Sequence, residues 1–284
     1  MPTPDINGQD VDLLRVALCQ IQTEAWETED NFERTILALK DAAQNGAELA
    51  ITPECVFHGY GFLDDKQEFI ERMREAAVTL DSEKVSKIQN LAQKNRMPIV
   101  LGIAEKTPEN KIHNSALFIN QIGQIESIYR KVHCREAESI SENGCFTPGN
   151  SFVTTPIRAG QNEYTIGSMI CFDREIPESV RTLRAMGSHL VACPLATMTT
   201  RLENCPIKVE NEFLTRARAA ENEIFIVVVN HSGRYNGGSF VVGPTGEIII
   251  QLGEEPIVEV VDIPIGVIPK LFHNNPLGWA GWGY

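Results

Sequence analysis

Three polar residues of complementary chemistry each follow an apolar, strand-like run in this sequence. Glu54 follows NGAELAITP, Lys131 follows IESIYR and Cys171 follows TIGSMI. A free thiol, with a reference pKa of about 8.5, is mostly protonated at neutral pH. A neighbouring carboxylate can take its proton, and a neighbouring ammonium favours the thiolate. The ammonium can also hold a developing oxyanion, together with the backbone N–H just after the nucleophile, that of Phe172. Taken singly, the three read more readily as a cap or surface charge, a solvated strand end and a core cysteine. Their joint occurrence points to nucleophilic catalysis.

The elements that must position them follow from pattern. The run before Cys171 is strand-like, and Pro177 opens a helical pattern that reaches Met186. A strand that breaks into a helix places the residue at the break on a sharp turn, near N–H groups at the helix start. Residues 14–21 read as a strand, 31–44 as a helix stopped by Gly46, and 47–51 as a second short strand, the order of a parallel crossover. A second strand-helix-strand unit spans about residues 164–194. Helices are predicted over 67–77, 82–95 and 208–222. Strands are predicted over 98–103, 115–119, 125–131, 151–155, 224–229, 238–242, 247–250 and 258–263. This alternation predicts one α/β domain over residues 13–264. It is preceded by a flexible lead-in at 1–12 and followed by a tail at 265–284 that lies on the surface or against a partner subunit. Ligands in such folds sit at the carboxyl ends of strands, where all three residues stand.

Composition excludes other classes. Hydrophobic residues make up 43% and charged residues 22%, as in ordinary globular proteins. A net charge of −13 argues against binding a nucleic-acid backbone, which needs clustered Lys and Arg. The longest apolar runs are too short to span a bilayer, and the polar, acidic N-terminus lacks the regions of a signal peptide. The seven cysteines are widely spaced without a CxxC, which suggests neither a disulfide framework nor a zinc site. A reducing cytoplasm is the compartment this implies.

At these residues the sequence resembles the nitrilase superfamily of carbon–nitrogen hydrolases. The matching segments are NGAELAITPE with Gly59-Tyr60 after it, YRKVH, ENGCFTPG, MICFDREIPE, RARAAENEIFIVVVN and GSFVVGPTGEI, in the family's order. The resemblance implies a four-layer α-β-β-α sandwich, usually paired into dimers or higher homo-oligomers. It implies Glu54 as general base, Lys131 as stabiliser of the oxyanion and Cys171 as nucleophile. Glu142, in the pattern Glu142-x-x-x-Phe146-x-x-Gly149, matches a second glutamate that supports the lysine. The implied reaction attacks an amide or nitrile carbon, passes through a thioester and needs only water as co-reactant, with no metal or organic cofactor.

The branch is read from departures. Nitrilases proper usually carry Cys-Trp-Glu, whereas this chain has Cys171-Phe172-Asp173, which favours an amidase or an N-carbamoyl hydrolase. Arg174 matches a position where carbamoyl-amino-acid hydrolases bind a substrate carboxylate. It can equally pair internally with Asp173, Glu175 or Glu178. Tyr60 is expected to wall the pocket, and His58 either lines it or is solvated. Asn114 is expected to be structural. The leading expectation is a hydrolase acting on a small linear amide or N-carbamoyl compound. The rivals are a nitrilase and a non-catalytic binding protein, against which the retained acid, amine and thiol count.

Overall fold

The computed structural model describes residues 11–61, 66–135, 145–197 and 211–274. Alternation along the first strand, β1 (Leu14–Gln20), decides the layering. Val16 and Leu18 belong to a cluster that also holds Ile166, Val191 and Val227, whereas Ala17 and Cys19 pack with Phe32, Leu39, Val85 and Ile88. Successive residues of a strand face opposite sides, so one face of β1 meets a second sheet and the other meets helices.

Helix α1 (Thr28–Gln44) crosses back to β2 (Leu49–Ile51), which lies parallel to β1. Helices α2 (Lys66–Ala76) and α3 (Glu83–Asn95) follow, the second capped by Ser82, whose side chain accepts from the Val85 N–H at 3.4 Å. Strands β3 (Ile99–Lys106), β4 (Ile112–Ile119) and β5 (Ile125–Arg130) complete the first half. The second half repeats the scheme. Strands β6 (Val153–Ala159) and β7 (Asn162–Ser168) lead through a 3-10 turn at Cys171–Glu175 into α4 (Pro177–Ala185) and β8 (Leu190–Pro194). Then come α5 (Asn211–Asn222), β9 (Phe225–Val229), β10 (Phe240–Val242), β11 (Ile248–Gln251), β12 (Ile257–Ile263) and α6 (Ile268–Asn274).

The sheets have the orders β12-β1-β2-β3-β4-β5 and β11-β10-β9-β8-β7-β6. In each, three consecutive strands are parallel (β1-β2-β3 and β7-β8-β9) and the outer neighbours are antiparallel. Val180 and Leu183 of α4 and Ala219 of α5 pack on the second sheet. The layers are therefore helices, sheet, sheet, helices: the α-β-β-α sandwich. Both predicted strand-helix-strand units are parallel crossovers.

Two of the expectations that shift bear on the site and the core. Strand β4 begins at Ile112 rather than at Ser115, so His113 and Asn114 are strand residues. The tail's first part joins the core, because Ile265 and Ile268 are fully buried in the inter-sheet cluster. Its tryptophans, Trp279 and Trp282, lie outside the described residues. No helix among the described residues is long and apolar enough to cross a membrane.

Candidate active site

Strand β5 is antiparallel to β4, which is antiparallel to β3, so β5 runs in the direction of β2 and β3. The carboxyl ends of β2 and β5 therefore share one edge of the first sheet. The Glu54 N–H donates to the Leu195 carbonyl at 3.4 Å, which joins that edge to the carboxyl end of β8. Glu54, Lys131 and Cys171 all follow strands ending here.

Glu54 sits on a tight turn, with Cys55 in the left-handed region at φ 50°. Gly102 of β3 makes room for this turn: a Cβ there would stand 2.3 Å from the Pro53 carbonyl oxygen and 3.0 Å from the Glu54 Cα. The Glu54 side chain is fully buried. Its Oε1 accepts from Lys131 Nζ at 2.9 Å and from Asn114 Nδ2 at 2.6 Å. Its Oε2 is buried and has no hydrogen-bond partner among the described residues. One oxygen is thus tied to two donors, and the other is left as an acceptor.

Lys131 is fixed through its main chain. Its N–H donates to the Asn114 carbonyl, and its carbonyl accepts from the Gly149 N–H, each at 2.8 Å. Burial works against its charge, but the attraction of Glu54 and then of Cys171 outweighs burial and holds its pKa above the ordinary lysine value. The amine is therefore held as an ammonium. Asn114 holds both residues, the acid with its side chain and the lysine with its carbonyl.

Cys171 is 6% exposed and adopts φ 48°, a conformation that costs a residue with a Cβ about 1 kcal/mol or more. Its Sγ lies 3.6 Å from Thr197 Oγ1. Thr197 is held in turn by Asn230, which accepts its N–H at 3.2 Å and donates to its carbonyl at 3.0 Å. Phe172 is the second residue of the 3-10 turn, where backbone N–H groups have no acceptor within the helix, so its N–H can face a ligand.

His231, just past β9, is fully buried and holds the Glu54 main chain from behind. Its Nε2 lies 2.7 Å from the Glu54 carbonyl oxygen and its Nδ1 lies 2.7 Å from Thr23 Oγ1. A carbonyl only accepts, so Nε2 carries the proton and Nδ1 accepts from the threonine hydroxyl. Burial pushes the His231 pKa down to about 4, against the opposing pull of the Glu54 carbonyl, and the ring stays neutral.

His58 is 1% exposed, so it is not a solvated loop histidine. It stacks between Trp26 and Tyr60 at centroid distances of 5.7 and 5.9 Å, and neither ring nitrogen has a hydrogen-bond partner among the described residues. Burial, then His231, pushes its pKa down to about 3. Tyr60 is buried with Phe146 and Tyr235, and its carbonyl accepts from the Tyr235 hydroxyl. Arg174 is 2% exposed, and its charge acts on the Cys193 thiol against the upward push of burial. It is an interior cation, not a solvated one. Glu142 lies outside the described residues. His231, Thr197 and Asn230 were not singled out from sequence. Asn230 and His231 directly follow the buried run FIVVV, the same signal as for the triad, whereas Thr197 stands three residues beyond LVACP.

The family profile described as carbon–nitrogen hydrolase matches residues 15–270. A nitrilase and fragile histidine triad fusion protein of Drosophila melanogaster is 28% identical over 261 residues, covering 87% of this chain and 53% of that relative. The chain thus spans about half of the fly protein. An (R)-stereoselective amidase of Pseudomonas sp is 27% identical, covering 89% of this chain and 85% of the amidase. Among solved structures, a mutant of the amidase from Nesterenkonia sp. AN1 aligns with a TM-score of 0.71 at 26% identity. That alignment covers 94% of this chain and 98% of the amidase, whose active site cysteine carries the acetamide moiety of fluoroacetamide covalently.

Proposed function

Because this chain belongs to the carbon–nitrogen hydrolase family, we propose that it hydrolyses the C–N bond of a small linear amide or N-carbamoyl compound through a thioester on Cys171. The observation that carries the reading is the division of labour on Glu54: Oε1 is occupied by Lys131 and Asn114, and Oε2 is buried with no described partner. A carboxylate held in this way is oriented and has one oxygen available for proton transfer.

The steps follow from the residues. Oε2 of Glu54 takes the Cys171 proton as Sγ adds to the carbonyl carbon. The oxyanion lies against the Lys131 ammonium and the Phe172 N–H. As the intermediate collapses, the C–N bond breaks and Glu54 returns the proton to the departing ammonia or amine. Water then adds to the thioester carbon, giving its proton to Glu54, and the C–S bond breaks. The departing thiolate recovers that proton, and the acid leaves. The sum is amide plus water giving acid plus amine. Glu142 would support the lysine, and Tyr60, His58 and Arg174 would contact the substrate.

The test is ammonia release from a panel of amides, carbamoyl amino acids, carbamoyl amines and nitriles, for the wild type and for Cys171→Ala. Amide or carbamoyl turnover that vanishes in the variant is expected. Turnover of nitriles alone would favour a nitrilase, and turnover unchanged in Cys171→Ala would overturn the mechanism. A carboxylate-bearing substrate whose turnover weakens sharply in Arg174→Ala would assign that arginine.

A further inference from the structure

Asp173, two residues beyond the thiol, is fully buried, and its carboxylate accepts four hydrogen bonds. One oxygen takes the Tyr129 hydroxyl at 2.6 Å and the Ile170 N–H at 3.0 Å. The other takes the His133 N–H and the protonated Nδ1 of the same histidine, each at 2.9 Å. These donors come from the two sides of the site. Tyr129 and His133 stand two residues before and two residues after Lys131. Ile170 immediately precedes Cys171, and the Asp173 N–H bonds back to the Ile170 carbonyl at 3.0 Å, closing a bracket around Cys171 and Phe172. The Tyr129 hydroxyl extends the link by accepting from the Val132 N–H at 3.2 Å.

The geometry points to Asp173 as the positioning residue that locks the ammonium-bearing end of β5 to the nucleophile turn that follows β7. The kinetic part of this inference rests on the amide-hydrolase reading; the structural part does not. All four partners donate, so they need two acceptor oxygens with two sites each, which only an ionised carboxylate supplies. An asparagine offers one such oxygen and turns donors toward the other pair. A glutamate is one methylene too long for a fully buried site. The bracket also explains how Cys171 keeps its left-handed backbone: residues 170 and 173 are bonded in both directions across it. The charge has a further consequence. Hydrogen bonding to Asp173 raises the His133 pKa, against partial burial, and the Asp173 and Glu178 charges add to it. The ring is otherwise faced by Ser179 Oγ at 3.3 Å and by the Phe152 ring at 6.1 Å.

The experiment compares wild type, Asp173→Asn, Asp173→Glu and Tyr129→Phe. The first readout is the rate of iodoacetamide alkylation at Cys171, followed by peptide mass, which needs no substrate. Asp173→Asn is expected to slow alkylation at pH 7 about tenfold or more. It should lower kcat about 100-fold with KM held within about threefold, the pattern of a misplaced reacting group. Asp173→Glu should not rescue either rate, and Tyr129→Phe should show the same losses at smaller size. NMR titration of the His133 ring should move down toward the ordinary histidine value in Asp173→Asn, which a packing role alone would not produce. If Asp173→Asn does not fold, Tyr129→Phe combined with His133→Ala carries the same alkylation test. Wild-type alkylation and an unmoved His133 titration in folded variants would overturn the assignment. Slowed alkylation in a protein that turns over no amide would sustain it while sinking the proposed function.

Discussion

Replacing Asn114 by alanine isolates the orientation of the base from the placement of the lysine. The Asn114 carbonyl, which anchors the Lys131 N–H at 2.8 Å, survives any side-chain substitution. What is lost is the 2.6 Å bond from Nδ2 to Glu54 Oε1, together with the weaker bond that Oδ1 accepts from the Cys55 thiol at 3.4 Å. A buried hydrogen bond to a charged group contributes about 1.5–3 kcal/mol. With Lys131 still bound at 2.9 Å, the carboxylate stays paired but is free to rotate about that single contact. If the whole contribution is felt in the transition state, kcat/KM falls about 10- to 100-fold. The loss should appear in kcat, because the substrate carbonyl is held by other groups. Asn114→Asp should be worse and should differ in kind. Two carboxyls at that spacing cannot both ionise, so the pair retains a proton and activity should recover as pH rises. The assay is steady-state kinetics on the best substrate of the panel across pH, with thermal unfolding to confirm folding. A folded Asn114→Ala variant with wild-type kcat, or with a loss confined to KM, would refute the reasoning.

Other consequences follow from the same geometry. His231 and His58 are held neutral, at about 4 and about 3, so unfolding releases them to their ordinary value near 6.5 and lets them take up protons in mild acid. Their contribution to stability is full above that value and is lost as pH falls toward the folded-state values. The loss is worth about 2 kcal/mol per ring at pH 5. Melting temperature should therefore drop by on the order of 10 °C between pH 7 and 5, less in His58→Phe, and a flat profile would contradict the assignment. Gly102→Ala places a Cβ against Pro53 and Glu54, so it should cost about 1–3 kcal/mol of stability and depress kcat together. A variant with wild-type melting and turnover would show that the turn has slack.

The strands that carry the triad were legible because their runs are short, apolar and β-branched, and because each ends at a polar residue of distinct chemistry. What escaped was the polar scaffolding. Asn114 and His113 broke the apolar pattern before Ser115, so β4 read as starting later. Their side chains are polar because one bonds Glu54 and the other the Thr147 carbonyl, not because the backbone leaves the sheet. Asp173 read as a branch marker, since its partners Tyr129 and His133 are 44 and 40 residues away and no local pattern reports such a contact. The nucleophile turn was expected as a direct strand-to-helix break; the structure inserts a 3-10 turn held by Asp173. Buried apolar residues of the tail, Ile265 and Ile268, are too few and too interrupted by glycine and proline to form a visible helical stripe.

In the proposed reaction Cys171 carries the acyl group while Glu54 takes and returns the protons of both steps. The most direct measurement is the mass of Cys171-containing peptide after mixing the Glu54→Gln variant with an amide substrate and quenching in acid. Without the base, water activation should stall by about 100-fold or more, so any thioester formed should accumulate. A mass increase on Cys171 equal to the substrate's acyl group is expected, absent from Cys171→Ala. Substrate turnover retained by Cys171→Ala, or an acyl adduct on another residue, would contradict it.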